Sequence, residues 1–157
     1  MLRIASRAGP VAVIPEEVVS RIESAAWFRS SWSPYALLDG DLRLNAVNTA
    51  LQRLANGLPT DRLVGQVATE VFDVNPDDPG ADASAMFEYS VEEVLRTGRT
   101  SWLGLHRHDL PHPQRPGTFV HRVWLPVQVP VVHDGVVVGV LHHVQDLTAA
   151  LGVGRPA

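Results

Sequence analysis

Seven histidines fall in the last third of the chain, at His106, His108, His112, His121, His133, His142 and His143. His106 and His108 are two residues apart, so in a strand both side chains point to one side. That pair could chelate a metal ion with His121 or Asp109 as a third ligand. Beside Asp109 it could instead move protons as acid and base. The plainer account is ordinary surface or core histidines, whose charge changes between about pH 5 and 8.

A second group is aromatic. Trp102 and Trp124 fall in strand-like segments, and Met86, Phe87 and Tyr89 fall in a helical one. Together with His106 these residues could line a ligand cavity between a sheet and its helices. The competing account is that they only fill the core. Trp27 and Trp32 lie far upstream.

Other chemistry is excluded by what is missing. There is no cysteine, hence no disulfide, thiolate nucleophile or cysteine-ligated zinc or iron–sulfur site. All thirteen positive charges are arginine. A P-loop lysine, a Schiff base and an ammonium general base are therefore ruled out. No Gly-x-Ser-x-Gly, His-Glu-x-x-His or glycine-rich phosphate loop is present. The expectation is a protein with no catalytic residues and no metal site.

The chain has 157 residues, 45% of them hydrophobic and 19% charged, in the range of a globular domain. A net charge of −4 argues against nucleic acid as a partner. No apolar run is long enough to span a bilayer, and residues 1–14 lack the apolar region of a signal peptide. A cytoplasmic protein with no membrane partner is expected.

The elements that must position these residues follow from periodicity. Residues 1–33 read as a lead followed by an amphipathic helix over 15–28. Pro15 opens it, and Val18, Val19, Ile22, Ala25 and Ala26 form a stripe. Two strands flank Asp39-Gly40, with Leu42, Leu44 and Ala46 on one face. Asn48 caps a short helix over 49–55, and Asn56-Gly57 ends it. Short helical turns follow, one capped by Thr60 and one over 67–72; residues 73–84 form a loop. A longer helix spans 85–97, with Gly98 as its stop.

Residues 102–110 read as a strand with Trp102, Gly104, His106 and His108 on one face. A long hairpin over 118–148 then turns at Asp134-Gly135. Its second arm, 136–144, is nearly all apolar and suits a central strand. Pro126 and Pro130 require the first arm to break, bulge or run beside an edge. The fold class is α+β: a five-stranded antiparallel sheet, strand order 2-1-5-4-3, with helices on one face and an extra N-terminal helix.

Several short motifs then fall in a familiar order. They are Leu37-Leu38-Asp39-Gly40-Asp41-Leu42 with Asn48 and Ala50, Leu63-Val64-Gly65, and Val71-Phe72. Asn75-Pro76-Asp77-Asp78-Pro79, Val94-Leu95-Arg96-Thr97-Gly98-Arg99 and Asp146-Leu147-Thr148 complete the series. Over residues 34–148, about three quarters of the chain, this resembles a PAS domain of the actinobacterial type. PAS domains are sensor and interaction modules of bacterial signalling proteins.

The resemblance implies a non-catalytic sensory domain, with a small apolar or aromatic ligand as its possible cargo. It also implies that Asp146 anchors the junction to an effector and that Thr148 caps a following helix. Residues 149–157 read as a tail, so the effector is expected on another chain or in a longer parent protein. Flavin photosensors and coumarate-linked sensors of this superfamily need a cysteine, and haem binders typically use a histidine on the long helix. Neither flavin nor haem is expected here. The other readings are a cyclase- or isomerase-like α+β barrel using His106, His108 and Asp109, and a pure dimerisation module. A homodimer is expected, with the helix over 15–28 at its interface, because its stripe and the nearby Trp27, Phe28 and Trp32 spread apolar surface widely.

Overall fold

The computed structural model describes residues 13–71, 75–78 and 83–153. Its spine is the hairpin of β7 (Val123–His133) and β8 (Val136–Asp146), paired from Trp124↔Asp146 to His133↔Val136. Asp134 and Gly135 both take positive φ, 49° and 76°, as a two-residue turn matched to strand twist requires. β8 lies between β7 and β1 (Tyr35–Leu38), and β2 (Leu44–Val47) flanks β1. On the far side β7 pairs with β3 (Ser101–Trp102) and, further along, with β4 (His106–Arg107). The order β2-β1-β8-β7-β3 is the predicted 2-1-5-4-3, with residues 136–144 central.

The predicted strand over 102–110 is divided. Leu103 still donates to the Pro126 carbonyl, at 3.2 Å, but Gly104 takes φ 72° and the ladder resumes only at His106. A strand residue's N–H and C=O point the same way. The missing N–H of Pro126 therefore faces this interrupted edge, where it forgoes the reciprocal bond to Leu103 and no bond to the central strand β8. A short pair, β5 (Leu110–Pro111) with β6 (Phe119–Val120), lies beyond β4.

One sheet face carries the short helices α3 (Thr49–Leu54), α4 (Thr60–Leu63) and α5 (Ala68–Val71), together with α6 (Ala83–Thr97). Leu38, Leu44, Leu51, Leu63, Val94 and Val140 form the core between them. Each such side chain contributes roughly 1.5–3 kcal/mol by leaving water. Asn48 is the joint of this layer. Its side-chain oxygen accepts from the Leu51 and Tyr35 N–H groups, and its amide donates to the Phe28 and Ser33 carbonyls. α4 has no side-chain cap, and Pro59 rather than Thr60 stands at its N-cap. Of the predicted 67–72 helix, Phe72 lies outside the described residues, as does half of the 73–84 loop; α6 begins at Ala83, inside that loop.

The first hairpin departs from its predicted alternation. Leu42 has φ 62° and belongs to the turn, where the Asp39 carboxylate accepts from the Asp41 and Arg43 N–H groups. The pairing then slips between Leu37↔Ala46 and Leu38↔Leu44, leaving Asn45 as an extra residue. Such a bulge inverts the face of the residues beyond it. Leu44 therefore packs with the helices while Ala46 packs on the other side.

That other side is covered by the chain's own N-terminal region. The predicted single helix over 15–28 is two, α1 (Glu16–Ser24) and α2 (Ala26–Arg29), separated by Ala25 in an extended conformation at ψ 130°. Ile14, Val18 and Phe28 pack with Leu37, Ala46 and Val138. The contact is close: a Cβ on Gly139 would stand 2.7 Å from Ile14 Cδ1 and 2.9 Å from the Leu38 carbonyl oxygen. The apolar stripe of α1 is thus spent on its own sheet.

Candidate functional site

Between the sheet and α6 lies a cavity of about 160 Å³. Trp124, Pro126 and His142 form its sheet wall, and Phe87 of α6 and Leu51 of α3 close the opposite side. Leu103, His106 and His108 line it from the interrupted edge. The break at Gly104 makes this possible, because it lets the chain bend inward past the end of β3.

Trp124 is the best fixed of these groups. It is buried, and its indole N–H donates to the His108 carbonyl at 2.8 Å. Phe87 meets the His142 ring edge-on, with centroids 5.0 Å apart. On the adjacent strand, and on the cavity-facing side by register, Gln128 places its side-chain oxygen 3.0 Å from His142 Nδ1. Burial, and secondarily the neighbouring His143, push the His142 imidazole down to about 4. Burial also lowers His108, against the opposing pull of Asp78 and Asp109. Both rings are therefore neutral near pH 7. Among the described residues, His106 Nε2 and Gln128 Nε2 are buried without a hydrogen-bond partner.

Beyond the cavity, Asp109 gathers the edge together. It is 3% exposed and accepts from Arg107 Nη2 at 2.7 Å, Arg107 Nε at 3.0 Å and Asn75 Nδ2 at 2.9 Å. Its bond to Arg107, helped by Asn75 and by the Arg122 N–H, holds its carboxyl at about 2. Such a carboxylate is a structural anion and is poorly suited to act as a base near neutral pH. The Arg122 guanidinium, whose backbone reaches Asp109, sits 3.3 Å from Asp146.

Asp146 in turn accepts from the Thr148 N–H, and the Thr148 hydroxyl accepts from the Val123 N–H at 3.0 Å. Thr148 is thus buried and tied back to β7, and residues 148–153 form turns rather than a helix that it would cap. The end of the sheet and the cavity edge are joined through Arg122.

Of the six residues predicted to line a pocket, Phe87, His106 and Trp124 do so. Met86, Tyr89 and Trp102 do not, being 50%, 64% and 68% exposed. α6 meets the core through Phe87, Ser90, Val91 and Val94, which turns Met86 and Tyr89 outward. Trp102 pairs with Val127 and so faces the opposite side of the sheet from His106, which pairs with Trp124. The irregular residues between β3 and β4 reset the alternation. His121 is exposed, and the described residues hold no group of three His, Cys, Asp or Glu side chains suited to a metal. His142 is a wall-forming polar residue absent from the pocket predicted by sequence, and Gln128 stands behind it as its hydrogen-bond partner. A signal for Gln128 exists there: it shares the parity of Trp124 inside an otherwise apolar strand.

No curated protein sequence matches the chain. Solved structures do. The PAS domain of Bordetella pertussis BvgS is 18% identical with a TM-score of 0.59, covering 87% of this chain and 92% of that one. The Rhodobacter sphaeroides LOV protein is 16% identical with a TM-score of 0.57, over 85% and 69%. The phage VqmA–DPO complex is 20% identical with a TM-score of 0.57, over 87% of this chain and 55% of that chain. This chain therefore spans just over half the length of the VqmA proteins it matches. A family model described as a PAS fold matches residues 28–151. Given that match, and a sheet order and helix placement that agree with it, the chain belongs to the PAS family.

Proposed function

We propose that this chain is the non-catalytic sensory domain of a signalling protein and binds a small apolar or aromatic ligand between sheet and helices. The carrying observation is the cavity walled by Trp124, Phe87 and His142. PAS domains are generally sensory modules, which agrees with that reading. A cavity of roughly 150 Å³ lined by apolar groups takes a molecule the size of benzene. The observed 160 Å³ supports cargo of that scale and disfavours haem or flavin. Asp146 and Thr148 would carry the response out of the domain, to an effector on another chain or in a longer parent protein. None of the helices among the described residues is long and apolar enough to cross a membrane, in keeping with a cytoplasmic sensor.

The domain acts as a homodimer in this reading, through the part of the outer sheet face that α1 leaves uncovered rather than through the stripe of α1. Trp102, Val127, His143 and Tyr35 are register partners in a row across four strands, and Trp27 extends the row, 5.5 Å from Tyr35. Trp27, Trp32 and Trp102 remain exposed. Aromatic surface of this extent usually marks an interface. Vibrio cholerae VqmA, whose fold is similar, is a dimer, which makes the same arrangement reasonable here.

Native mass spectrometry with ultraviolet–visible absorbance on freshly purified protein tests the proposal. A dimer that retains, or accepts from a library of single-ring compounds, one small molecule per chain would support it. A haem or flavin band, or no ligand from either source, would overturn the ligand reading.

A further inference from the structure

Among the described residues, the polar members of the cavity wall are Thr69, Ser84, His106, His108 and His142, with no Arg, Asp or Glu side chain. Arg107, the nearest cation in sequence, is engaged by Asp109 and Asp78. An ionised ligand would therefore leave water for a space whose described lining offers no opposite charge, which is strongly unfavourable. His108 and His142 do not supply that charge, since burial keeps both neutral at pH 7.

The wall is nevertheless not purely hydrocarbon. His106 lines the cavity, and its Nε2 is buried with no partner among the described residues. Buried polar atoms are normally satisfied, so an orphan on a cavity wall implies a missing partner. His142 adds a second polar edge. Its Nδ1 is engaged by Gln128, which fixes which ring nitrogen is left free to act as donor or acceptor. Phe87, Trp124 and His142 supply three flat rings, which reward a planar guest through stacked or edge contacts.

From this geometry we infer that the ligand is an uncharged, planar, single-ring heteroaromatic compound whose donor–acceptor edge meets His106 Nε2 and His142. Gln128 acts as a positioning residue, through His142. The inference rests on the proposed ligand-binding role of the cavity and names the class of ligand it takes.

Calorimetric titration of the full chain with three probes of similar ring size separates the class of ligand from binding itself. The probes are 2-pyridone (neutral, with a donor–acceptor edge), toluene (neutral, without one) and benzoate (an anion). 2-Pyridone should bind about tenfold more tightly than toluene, the worth of one or two net hydrogen bonds, with benzoate weakest. His106→Phe, which keeps a ring but removes the nitrogens, should erase the advantage of 2-pyridone over toluene. Should toluene or benzoate match or exceed 2-pyridone in the wild type, the ligand class is wrong while the cavity remains a binding site. The class is equally wrong if folded His106→Phe keeps the pyridone preference. Failure of all three probes to bind overturns the binding role itself. The wild-type comparison decides even if the variant does not fold.

Discussion

Lowering the pH should destabilise this domain through His142, and the structure sets the size of the effect. The ring is held between Phe87 and Gln128, and burial lowers its titration from 6.5 to about 4. Above the unfolded value the imidazole is neutral in both states, so its folded contribution is complete. Between the two values only the unfolded chain takes up the proton, so stability falls as pH falls. At pH 5 one group shifted this far costs about 2 kcal/mol relative to pH 7.5. Water in the adjoining cavity would screen the charge, so that figure is an upper bound. In a domain of this size it corresponds to a midpoint drop of roughly 4–8 °C. Urea unfolding of wild type and His142→Gln at several pH values between 7.5 and 5 reads it directly. The variant should start less stable, having lost a buried contact, yet show the flatter pH dependence. A residual slope from His108 and His143, both lowered by burial, should persist in it. Parallel curves for the two proteins would refute the reasoning.

Asn48→Ala removes a helix cap and leaves the Tyr35 N–H and two carbonyls without their partner; it should cost about 3 kcal/mol in chemical denaturation. Gly139→Ala drives a Cβ against the Leu38 carbonyl, which cannot yield as a side chain can. It should cost about 1–3 kcal/mol and expose residues 13–29 to limited proteolysis, and a variant as stable and as protected as wild type would contradict the close packing of Ile14. Asp109, held at about 2 chiefly by Arg107, contributes stability that is complete above about pH 4 and lost as pH falls through 2. Asp109→Asn should therefore cost about 1–2 kcal/mol at pH 7, allowing for solvent at the partly exposed arginine, and its penalty should vanish in acid. Trp102→Ala should turn a dimer into a monomer in sedimentation velocity at tens of micromolar, whereas a monomeric wild type would end the interface proposal.

The main sheet was legible because its signals are local and mutually consistent. A nearly all-apolar run at 136–144 suits a strand covered on both faces, and Asp134-Gly135 admits the turn that the hairpin needs. Asn48 was legible as a cap, although its reach to Phe28 and Ser33 was not, because those partners are set by tertiary packing. The errors came where alternation was carried across an irregularity. A bulge at Asn45 separates Leu44 from Ala46, and the break near Gly104 separates Trp102 from His106. Parity arguments fail at such points, since one extra residue inverts every later face. The α1 stripe is apolar as its periodicity indicates, but apolar periodicity does not say which surface will cover it. Half the candidate pocket shared that weakness: Met86 and Tyr89 have suitable side chains on the outward side of the right helix.

The most direct test of a ligand-sensing domain tracks both ends of the proposed route at once. A two-dimensional amide NMR titration of the isotopically labelled chain with 2-pyridone does this. The account predicts saturable shifts at Phe87, Trp124 and His142, with coupled shifts at Val123, Asp146 and Thr148. Those last residues are joined to the cavity edge by Arg122 and by the Thr148 hydroxyl. Shifts confined to the exposed surface, with the cavity residues unmoved at saturating probe, would contradict it.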